Sequence, residues 1–330
     1  MPDTVDSASA LNAFQDLSTY LRAHVIGQEQ ASEHLLIALL ADGHALLQGA
    51  PGLAKTRIAR LLANQIEGEF NRIQFTPDLL PSDLVGASIY QAAEQRFTFQ
   101  PGPIFANFIL ADEINRAPAK VQSALLEAME ERQVTSGETT YKLEAPFFVV
   151  ATQNPIEHDG TWDLPQAQLD RFLMQIELGY PKSDVERQIL DLAMNEAQAA
   201  LAGEAAIAAP TITKSELHRA KQSVARIHLS DPIREYIVRL IAGMRGEPAD
   251  LPDVGEHLSH PASPRGTIML ARTAQARAWL HGRDHVLPQD VQRLAPDVLR
   301  HRVGLSYRAE ADGITQQNII DALLDQIDAV

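Results

Sequence analysis

Cysteine is absent from this 330-residue sequence. Disulfide bonds, thiol catalysis and zinc–thiolate sites are therefore excluded. Long hydrophobic runs are absent as well, since no run approaches the about 18 residues that a membrane-spanning helix needs. The N-terminal segment is acidic and polar, which is not typical of a signal peptide. From these absences we expect a soluble, cytoplasmic protein with no integral membrane segment.

Basic residues are scarce. The chain has 28 lysines and arginines against 43 aspartates and glutamates, which gives a net charge of −15. Clustered basic residues bind nucleic acids, so we expect no nucleic-acid partner. Aromatic residues make up 5% of the chain although 45% is hydrophobic, which favours an α/β or helical fold rich in alanine and leucine. The 11 histidines form no tight cluster with carboxylates, so the pattern favours no histidine metal site.

A glycine- and proline-containing loop between a predicted strand and a predicted helix is the most informative stretch. It follows the apolar run Ala45-Leu46-Leu47 and precedes a helical pattern that includes Ile58. In such a loop the backbone N–H groups and the helix dipole bind a phosphate, Lys55 reaches the outer phosphates, and the Thr56 hydroxyl can ligate Mg²⁺. The predicted nucleotide-binding residues of this loop are Gly49, Ala50, Pro51, Gly52, Leu53, Ala54, Lys55 and Thr56.

Two features of this region leave alternatives open. Ala54 stands where phosphate loops usually have a second glycine, and we expect it to be tolerated because alanine costs little in a helical backbone conformation. A glycine–proline turn with a surface lysine would give the same short pattern. Upstream of the loop, Val25 and Ile26 either pack one helix on the next or form an apolar seat for the base of a nucleotide.

Apolar strands alternate with helical patterns over roughly the first 180 residues, which predicts an α/β domain with a parallel sheet. After the loop, strands are predicted at 70–75, 108–111, 147–152 and 174–178. Residues 88–101 and 133–143 alternate like protruding hairpins. From residue 181 onward, helices are predicted near 184–198, 213–227, 231–245, 264–281, 288–302 and 315–328, with an alanine-rich linker at 199–210. The pattern therefore predicts a second, helical domain.

Ligands of parallel sheets bind beyond the C-terminal ends of the strands, and three polar residues fall there. Asp112 ends an apolar strand and can hold the Mg²⁺ shell, so Thr56 and Asp112 are the predicted metal-holding residues. Glu113 can orient or deprotonate an attacking water, although Asp–Glu pairs also occur as plain surface charge. Asn154 can bond the γ-phosphate or the water, or it is simply a turn residue.

Two arginines suit phosphate contacts from other directions. Arg171 lies at a helix end before a strand, poorly placed for its own site, and suits insertion into the site of a neighbouring subunit. Such a residue can raise the rate by about 10³–10⁵. Ser263 and Pro264 are a helix N-cap and first position, which puts Arg265 in a first turn where it can reach phosphates from the lid side. A salt bridge for Arg171 and a solvent-facing side chain for Arg265 are the alternatives.

Taken in order, these stretches resemble an AAA+ ATPase and, more narrowly, the MoxR family. The resemblance covers roughly residues 10–328. The stretches that carry it are Val25-Ile26-Gly27-Gln28, the loop from Gly49 to Thr56, Phe75-Thr76-Pro77-Asp78-Leu79-Leu80-Pro81-Ser82-Asp83-Leu84, Asp112-Glu113-Ile114-Asn115-Arg116-Ala117, Ala151-Thr152-Gln153-Asn154-Pro155, Leu169-Asp170-Arg171-Phe172, Ser263-Pro264-Arg265 and Leu299-Arg300-His301-Arg302. This family commonly has alanine at the position of Ala54.

The resemblance implies an ATP- and Mg²⁺-dependent machine that forms a homo-oligomeric ring, usually a hexamer. Its α/β domain (1–180) would contain a five-stranded parallel sheet flanked by helices, and a small all-helical lid domain (181–330) would follow. Residues 85–101 would be the helix-2 insert and 133–143 the hairpin before sensor 1, both facing the pore or a partner. Asn154 would be sensor 1, Arg171 the arginine finger and Arg265 sensor 2. The family's Asn-Arg pair includes Arg116, which has no assigned role.

Several functions stay open within this resemblance. MoxR-like ATPases typically act as chaperones that mature or remodel partner proteins, often with proteins that bear von Willebrand factor A domains. A dedicated activase of one metalloenzyme, of the nitric oxide reductase or rubisco type, is the closest alternative. A nucleotide-gated scaffold without turnover and a DNA motor are further alternatives. The intact Glu113 and Arg171 disfavour the scaffold, and the acidic charge disfavours the motor.

Overall fold

The computed structural model describes residues 3–93, 95–137, 139–155, 162, 164–202, 212–247 and 254–329. Most of the predicted alanine-rich linker lies outside the described residues. The first 180 residues form the elements α1 (Asp3–His24), α2 (Glu29–Leu40), β1 (Ala45–Gln48), α3 (Lys55–Asn64), β2 (Phe70–Gln74), α4 (Pro81–Val85), β3 (Gly86–Gln91), β4 (Arg96–Pro101), β5 (Phe108–Asp112), α5 (Ala119–Glu131), β6 (Gln133–Ser136), β7 (Thr139–Lys142), β8 (Phe148–Gln153), α6 (Gln166–Leu169) and β9 (Met174–Glu177).

The C-terminal half is helical, as the sequence predicts. It contains α7 (Ser183–Ala202), α8 (Lys214–Ala225), α9 (Asp231–Gly243), β10 (Leu258–His260), α10 (Pro264–Leu280), α11 (Pro288–Leu299), β11 (Gly304–Leu305), α12 (Tyr307–Ala311) and α13 (Gln316–Gln326). The short antiparallel pair of β10 and β11 is an addition to the predicted helices. Among the described residues, none of the helices has both the length and the apolarity that crossing a bilayer requires.

Five strands form one sheet in the order β2-β5-β8-β1-β9, and all neighbouring strands are parallel. The predicted five-stranded parallel sheet is therefore confirmed. Strand β1 lies between β8 and the edge strand β9, with Gln48 opposite Gln153 of β8 and Ala45 opposite Met174 of β9. Because the strands are parallel, everything that follows β1, β5 and β8 gathers at one edge of the sheet, and everything that precedes them gathers at the opposite edge.

Side chains of the strands alternate between two cores, as a two-sided sheet requires. Ile109 and Ala111 face a core that is completed mainly by α5. Phe108 and Leu110 face a second core that includes α1, α2, α3 and the C-terminal helices. The rings of Phe14 in α1 and Trp279 in α10 lie 5.7 Å apart. The N-terminal helix and the C-terminal helices therefore share one apolar core with the sheet.

Both predicted hairpins are present. Strands β3 and β4 pair antiparallel, and so do β6 and β7. The rings of Phe99 in β4 and Tyr141 in β7 stack with centroids 4.0 Å apart, so an aromatic contact joins the two hairpins. Near the end of the first hairpin, Tyr90 and Phe97 are both more than half exposed and their rings lie 5.3 Å apart. This hairpin therefore presents an apolar surface to solvent.

Candidate active site

The predicted phosphate loop leaves the C-terminal edge of the sheet between β1 and α3. Gly49 packs against the backbone after β9, where an added Cβ would lie only 2.8 Å from the carbonyl oxygen of Leu178. A larger residue would therefore not fit at this position. Gly52 has a positive φ of 82°, a conformation that glycine adopts without strain. Lys55 folds back over the loop, and its ammonium group donates to the carbonyl oxygens of Gly49 at 2.5 Å and Gln153 at 3.3 Å. The lysine is therefore held where a phosphate bound in the loop would meet it.

Ala54 departs from expectation. Its φ and ψ are 62° and 16°, in the left-handed region, and it is the N-cap of α3. The expectation of a helical conformation that costs alanine little at this position is therefore wrong. A left-handed conformation costs a residue with a Cβ roughly 1–2 kcal/mol. Strain of this kind is tolerated where the surrounding structure enforces it, and such residues cluster at ligand-binding sites.

Thr152, a fully buried residue of β8, holds the acidic residues Asp112 and Glu113 in place through hydrogen bonds. Its hydroxyl donates to Oδ1 of Asp112 at 2.6 Å and accepts the backbone N–H of Glu113 at 2.9 Å. Glu113 has a φ of 58°, so the bond from its N–H fixes a left-handed turn at the end of β5. One threonine thus orients the side chain of Asp112 and the backbone of Glu113.

Cationic and amide groups occupy the outer oxygens of both carboxylates. Arg72 of β2 donates to Oδ2 of Asp112 through Nε at 3.0 Å and Nη2 at 2.7 Å. Oε2 of Glu113 accepts from Nε2 of Gln74 at 2.9 Å and from Nη1 of Arg116 at 3.1 Å. Arg116, which the sequence leaves without a role, is therefore next to the candidate general base.

The predicted metal-holding pair fits a magnesium ion. The hydroxyl of Thr56 lies 3.5 Å from Oδ2 of Asp112, so two hard oxygen donors converge beside the phosphate loop. Among the described residues, no group of three or more His, Cys, Asp or Glu side chains could hold a metal ion. Mg²⁺ is usually bound by one or two protein oxygens together with substrate phosphates and water, so two donors suffice.

An apolar pocket adjoins the phosphate loop on the side of α7. Val25 and Ile26 both line it, together with Leu53, Ile189 and Leu192. Val25 is also part of the core, so the two alternatives for this segment are compatible.

Two polar contacts frame this pocket. Gln28 donates to the carbonyl oxygen of Gly179 at 2.9 Å, which ties the segment to the end of β9. Across the mouth, Arg57 donates to Glu196 at 3.0 Å and lowers the pKa of that carboxyl group through this bonding. The pocket is therefore a preformed apolar cleft beside the loop.

Asn154 lies where the sequence predicts it, directly after β8 at the same edge of the sheet. It is buried, with 4% of its surface exposed. The preceding carbonyl, that of Gln153, is one of the acceptors of Lys55. The phosphate loop, Asp112, Glu113 and Asn154 therefore share one edge.

The two predicted arginines lie at the opposite edge. Arg171 comes three residues before β9, and the N–H of Leu173 donates to the carbonyl oxygen of His44, just before β1. The guanidinium group of Arg171 donates to the carbonyl oxygen of Leu126 at 2.8 Å and lies 3.0 Å from the carboxylate of Glu130. This position is level with the beginning of β1, whereas the phosphate loop follows its end.

Arg265 lies beside Arg171. Ser263 caps α10 by accepting the N–H of Arg265 at 3.2 Å, with Pro264 at the first helical position, as the sequence predicts. The side chain of Arg265 donates to Glu130 at 2.7 Å. Because α10 begins at the edge of the sheet that is remote from the loop, Arg265 lies away from the phosphate loop of its own chain, and its contact with phosphates stays a prediction.

The site combines a phosphate loop after β1, acidic residues at the end of β5 and a polar residue after β8. Together with the sheet order β2-β5-β8-β1-β9 and the C-terminal helical region, these features define an ATPase of the AAA+ class.

Comparison with known proteins narrows this class. The family model described as "ATPase family associated with various cellular activities (AAA)" matches residues 44–174, and the "AAA lid domain" model matches residues 253–323. Chaperone MoxR1 of Mycobacterium tuberculosis is 43% identical over 92% of this chain and 78% of its own length. The uncharacterized protein YeaC of Bacillus subtilis is 44% identical, over 92% of this chain and 90% of its own. The crystal structure of an inferred ATPase from Cytophaga hutchinsonii matches with a TM-score of 0.88 and 41% identity, covering 98% of this chain and 96% of the other.

The chain belongs to the MoxR family of AAA+ ATPases.

Three residues of the site escape the sequence reasoning: Thr152, Arg72 and Gln74. A threonine inside an otherwise apolar strand is a signal that a buried hydroxyl has a partner, because buried polar groups are almost always hydrogen-bonded. Arg72 and Gln74 alternate with apolar residues on an edge strand, and their sequence context does not distinguish them from ordinary surface residues.

Proposed function

We propose that this protein is an Mg²⁺-dependent ATP hydrolase that forms a ring, of six subunits by family analogy, and remodels or matures partner proteins. The observation that carries the proposal is the separation of the site into two halves. The phosphate loop and the acidic residues lie at one edge of the sheet, and Arg171 and Arg265 lie at the other. A complete site therefore needs the loop of one subunit and the arginines of the next.

Within one subunit, the loop binds the phosphates of ATP and the apolar pocket at Val25 and Ile26 binds its base. Lys55 exchanges its carbonyl partners for the outer phosphates. Thr56 and Asp112 would hold Mg²⁺, which would supply neutralisation of phosphate charge. Arg72 would compete with this role of Asp112, since it donates to the same oxygen that faces Thr56.

Glu113 orients or deprotonates the attacking water, and Asn154 bonds the water or the γ-phosphate. In the described conformation Oε2 of Glu113 is engaged by Gln74 and Arg116. These two bonds fix the orientation of the Glu113 carboxylate. The site thus rests in a state in which both carboxylates have protein partners.

Across the interface, Arg171 of one subunit stabilises the charge that develops on the phosphates of its neighbour. We assign Arg265 to the same neighbouring site, because it shares the carboxylate of Glu130 with Arg171. Both arginines leave Glu130 when a phosphate replaces it. Hydrolysis then depends on contact between subunits.

The test is complementation between two inactive variants. Glu113→Gln has an impaired site and an intact finger, whereas Arg171→Ala has an intact site and no finger. Arg171→Ala alone should hydrolyse ATP at least about 10³-fold more slowly than wild type, and Glu113→Gln alone about 10²–10⁴-fold more slowly. A mixture should recover activity at mixed interfaces. A mixture as inactive as its components, with both variants still binding ATP, would contradict the shared site.

The exposed aromatic pair Tyr90 and Phe97 supports a protein client, because apolar side chains on a protruding hairpin suit contact with a partner. A partner with a von Willebrand factor A domain and a cytoplasmic location stay predictions. Glu113→Gln held in ATP should retain a client in a pull-down, and a Tyr90→Ser/Phe97→Ser derivative should lose it. Equal capture by both proteins would exclude the hairpin as the contact.

A further inference from the structure

A buried arginine of the C-terminal region contacts the backbone on both sides of Arg171. Arg302 is 3% exposed and lies in the 3₁₀ turn Arg300–Arg302 that follows α11. Its guanidinium group donates to the carbonyl oxygens of Asp170 at 3.3 Å, Phe172 at 2.5 Å and Leu173 at 3.3 Å. The segment that carries the finger is thus held by a side chain about 130 residues further along the chain.

The charge of Arg302 is balanced by the same segment. Its Nε lies 2.9 Å from Oδ1 of Asp170. Burial lowers the pKa of Arg302 to about 10, and the neighbouring Asp170 carboxylate opposes this effect, so the guanidinium group stays protonated at neutral pH. Only a planar group with several fixed donors can serve three carbonyls and a carboxylate at once. A lysine would keep the charge and lose this geometry.

The first turn of α10 closes on the same group. The carboxylate of Asp170 lies 3.6 Å from Nη1 of Arg265 and accepts the hydroxyl of Ser263 at 3.5 Å. At Gly266, an added Cβ would lie 3.5 Å from Cδ of Arg302, which is ordinary packing distance, so the first turn of α10 lies directly against Arg302. Asp170 and Arg302 therefore join the finger segment to the helix that presents Arg265.

We propose that Arg302 is a positioning residue that clamps the finger segment to the C-terminal helices, so that Arg171 and Arg265 are presented to the neighbouring site as one unit. This inference rests on the proposed role of Arg171 across the interface. Arg302 is buried and its guanidinium group is engaged by the backbone around Arg171, so we do not place it in contact with a nucleotide. Its loss should impair the site of the neighbour and leave the subunit's own site intact.

The test uses Arg302→Lys in two directed mixtures, measured against the baseline mixture of Glu113→Gln with Arg171→Ala. In the donor mixture, R302K is placed in the Glu113→Gln subunit, so the only available fingers come from altered subunits. In the acceptor mixture, R302K is placed in the Arg171→Ala subunit, so the altered subunits hydrolyse ATP with intact fingers. Both mixtures contain the same number of R302K subunits, so any effect of the substitution on folding or assembly is the same in both.

Donor activity should fall at least about tenfold below the baseline, because small misplacements of a catalytic group can cost about 10²-fold. Acceptor activity should stay within about twofold of the baseline, and ATP affinity of the R302K subunit should be unchanged. Arg308→Lys, an exposed arginine of the same region, should leave both mixtures at the baseline. Equal losses in the two mixtures, or no loss in either, would overturn the clamp alone. A baseline mixture without activity would overturn the shared site as well.

Discussion

Replacing Thr152 with valine tests how the acidic residues of the site are held. Valine keeps the shape of threonine and removes its hydroxyl, so Oδ1 of Asp112 loses the donor at 2.6 Å and the N–H of Glu113 loses the acceptor at 2.9 Å. A hydrogen bond to a charged group contributes about 1.5–3 kcal/mol and a neutral one about 1 kcal/mol. The free energy of unfolding should therefore fall by about 2.5–4 kcal/mol.

The effect on nucleotide binding is separable from this loss of stability. Groups that orient a metal ligand typically contribute about 10–100-fold to metal affinity. We therefore expect Thr152→Val to reduce, by about tenfold or more, the gain in affinity for a fluorescent ATP analogue that Mg²⁺ brings over EDTA. The affinity in EDTA should change little, because the loop and the apolar pocket are unaltered. Urea unfolding measures the stability of the same samples.

Thr152→Ser is the matched control, because it retains the hydroxyl and loses only a methyl group. It should keep most of the Mg²⁺-dependent gain. If valine and serine impair this gain equally, packing rather than hydrogen bonding is responsible and the reasoning is refuted. A wild-type protein whose nucleotide affinity ignores Mg²⁺ would instead refute the metal site.

Three further predictions concern single contacts. Arg72→Gln should lower the Mg²⁺ concentration that half-saturates nucleotide binding, because the guanidinium group no longer competes for Asp112; an unchanged or higher concentration in a Mg²⁺ titration would contradict this. A double-mutant cycle of Phe99→Ala and Tyr141→Ala in urea unfolding should give a coupling of about 0.5–1.5 kcal/mol if the two hairpins support each other, and no coupling if they do not. His44 accepts a backbone N–H at Nδ1, and burial lowers its pKa to about 4. As the pH drops, the unfolded state therefore binds a proton before the folded state does, and the free energy of unfolding should fall by at most about 1.4 kcal/mol per pH unit between about pH 6.5 and 4. His44→Asn should flatten this pH dependence in urea unfolding.

The sequence predicts the sheet and one half of the site because both follow from local patterns. Short apolar runs define the strands, and parallel strands bring their C-terminal ends together. The positions of Lys55, Asp112 and Asn154 at one edge need no further information. Thr152 could have been found by the same reasoning, since a polar residue inside a buried strand requires a partner.

The remaining features depend on contacts between distant segments. The serine and proline before Arg265 determine that it begins a helix, but they contain no information about which edge of the sheet that helix reaches. The left-handed backbone of Ala54 is set by the loop as a whole, so the residue type misleads. Arg302 stands in the short basic run Arg300–Arg302, yet its partners lie about 130 residues away. Local patterns cannot predict such pairings.

The geometry of the sheet also constrains how copies of this chain can meet. Strand β1 has four residues, and at about 3.3 Å per residue it separates the beginning of the strand from the phosphate loop by about 13 Å. Arg171 lies at the far end of that distance, with its guanidinium group bound to α5, so it cannot serve the loop of its own chain. In the proposed shared site, a neighbouring copy presents the edge that carries Arg171, and this contact joins two different surfaces. Head-to-tail contacts either close into rings or continue as filaments. The proposed ring is therefore the closed form of the contact that the proposed shared site needs.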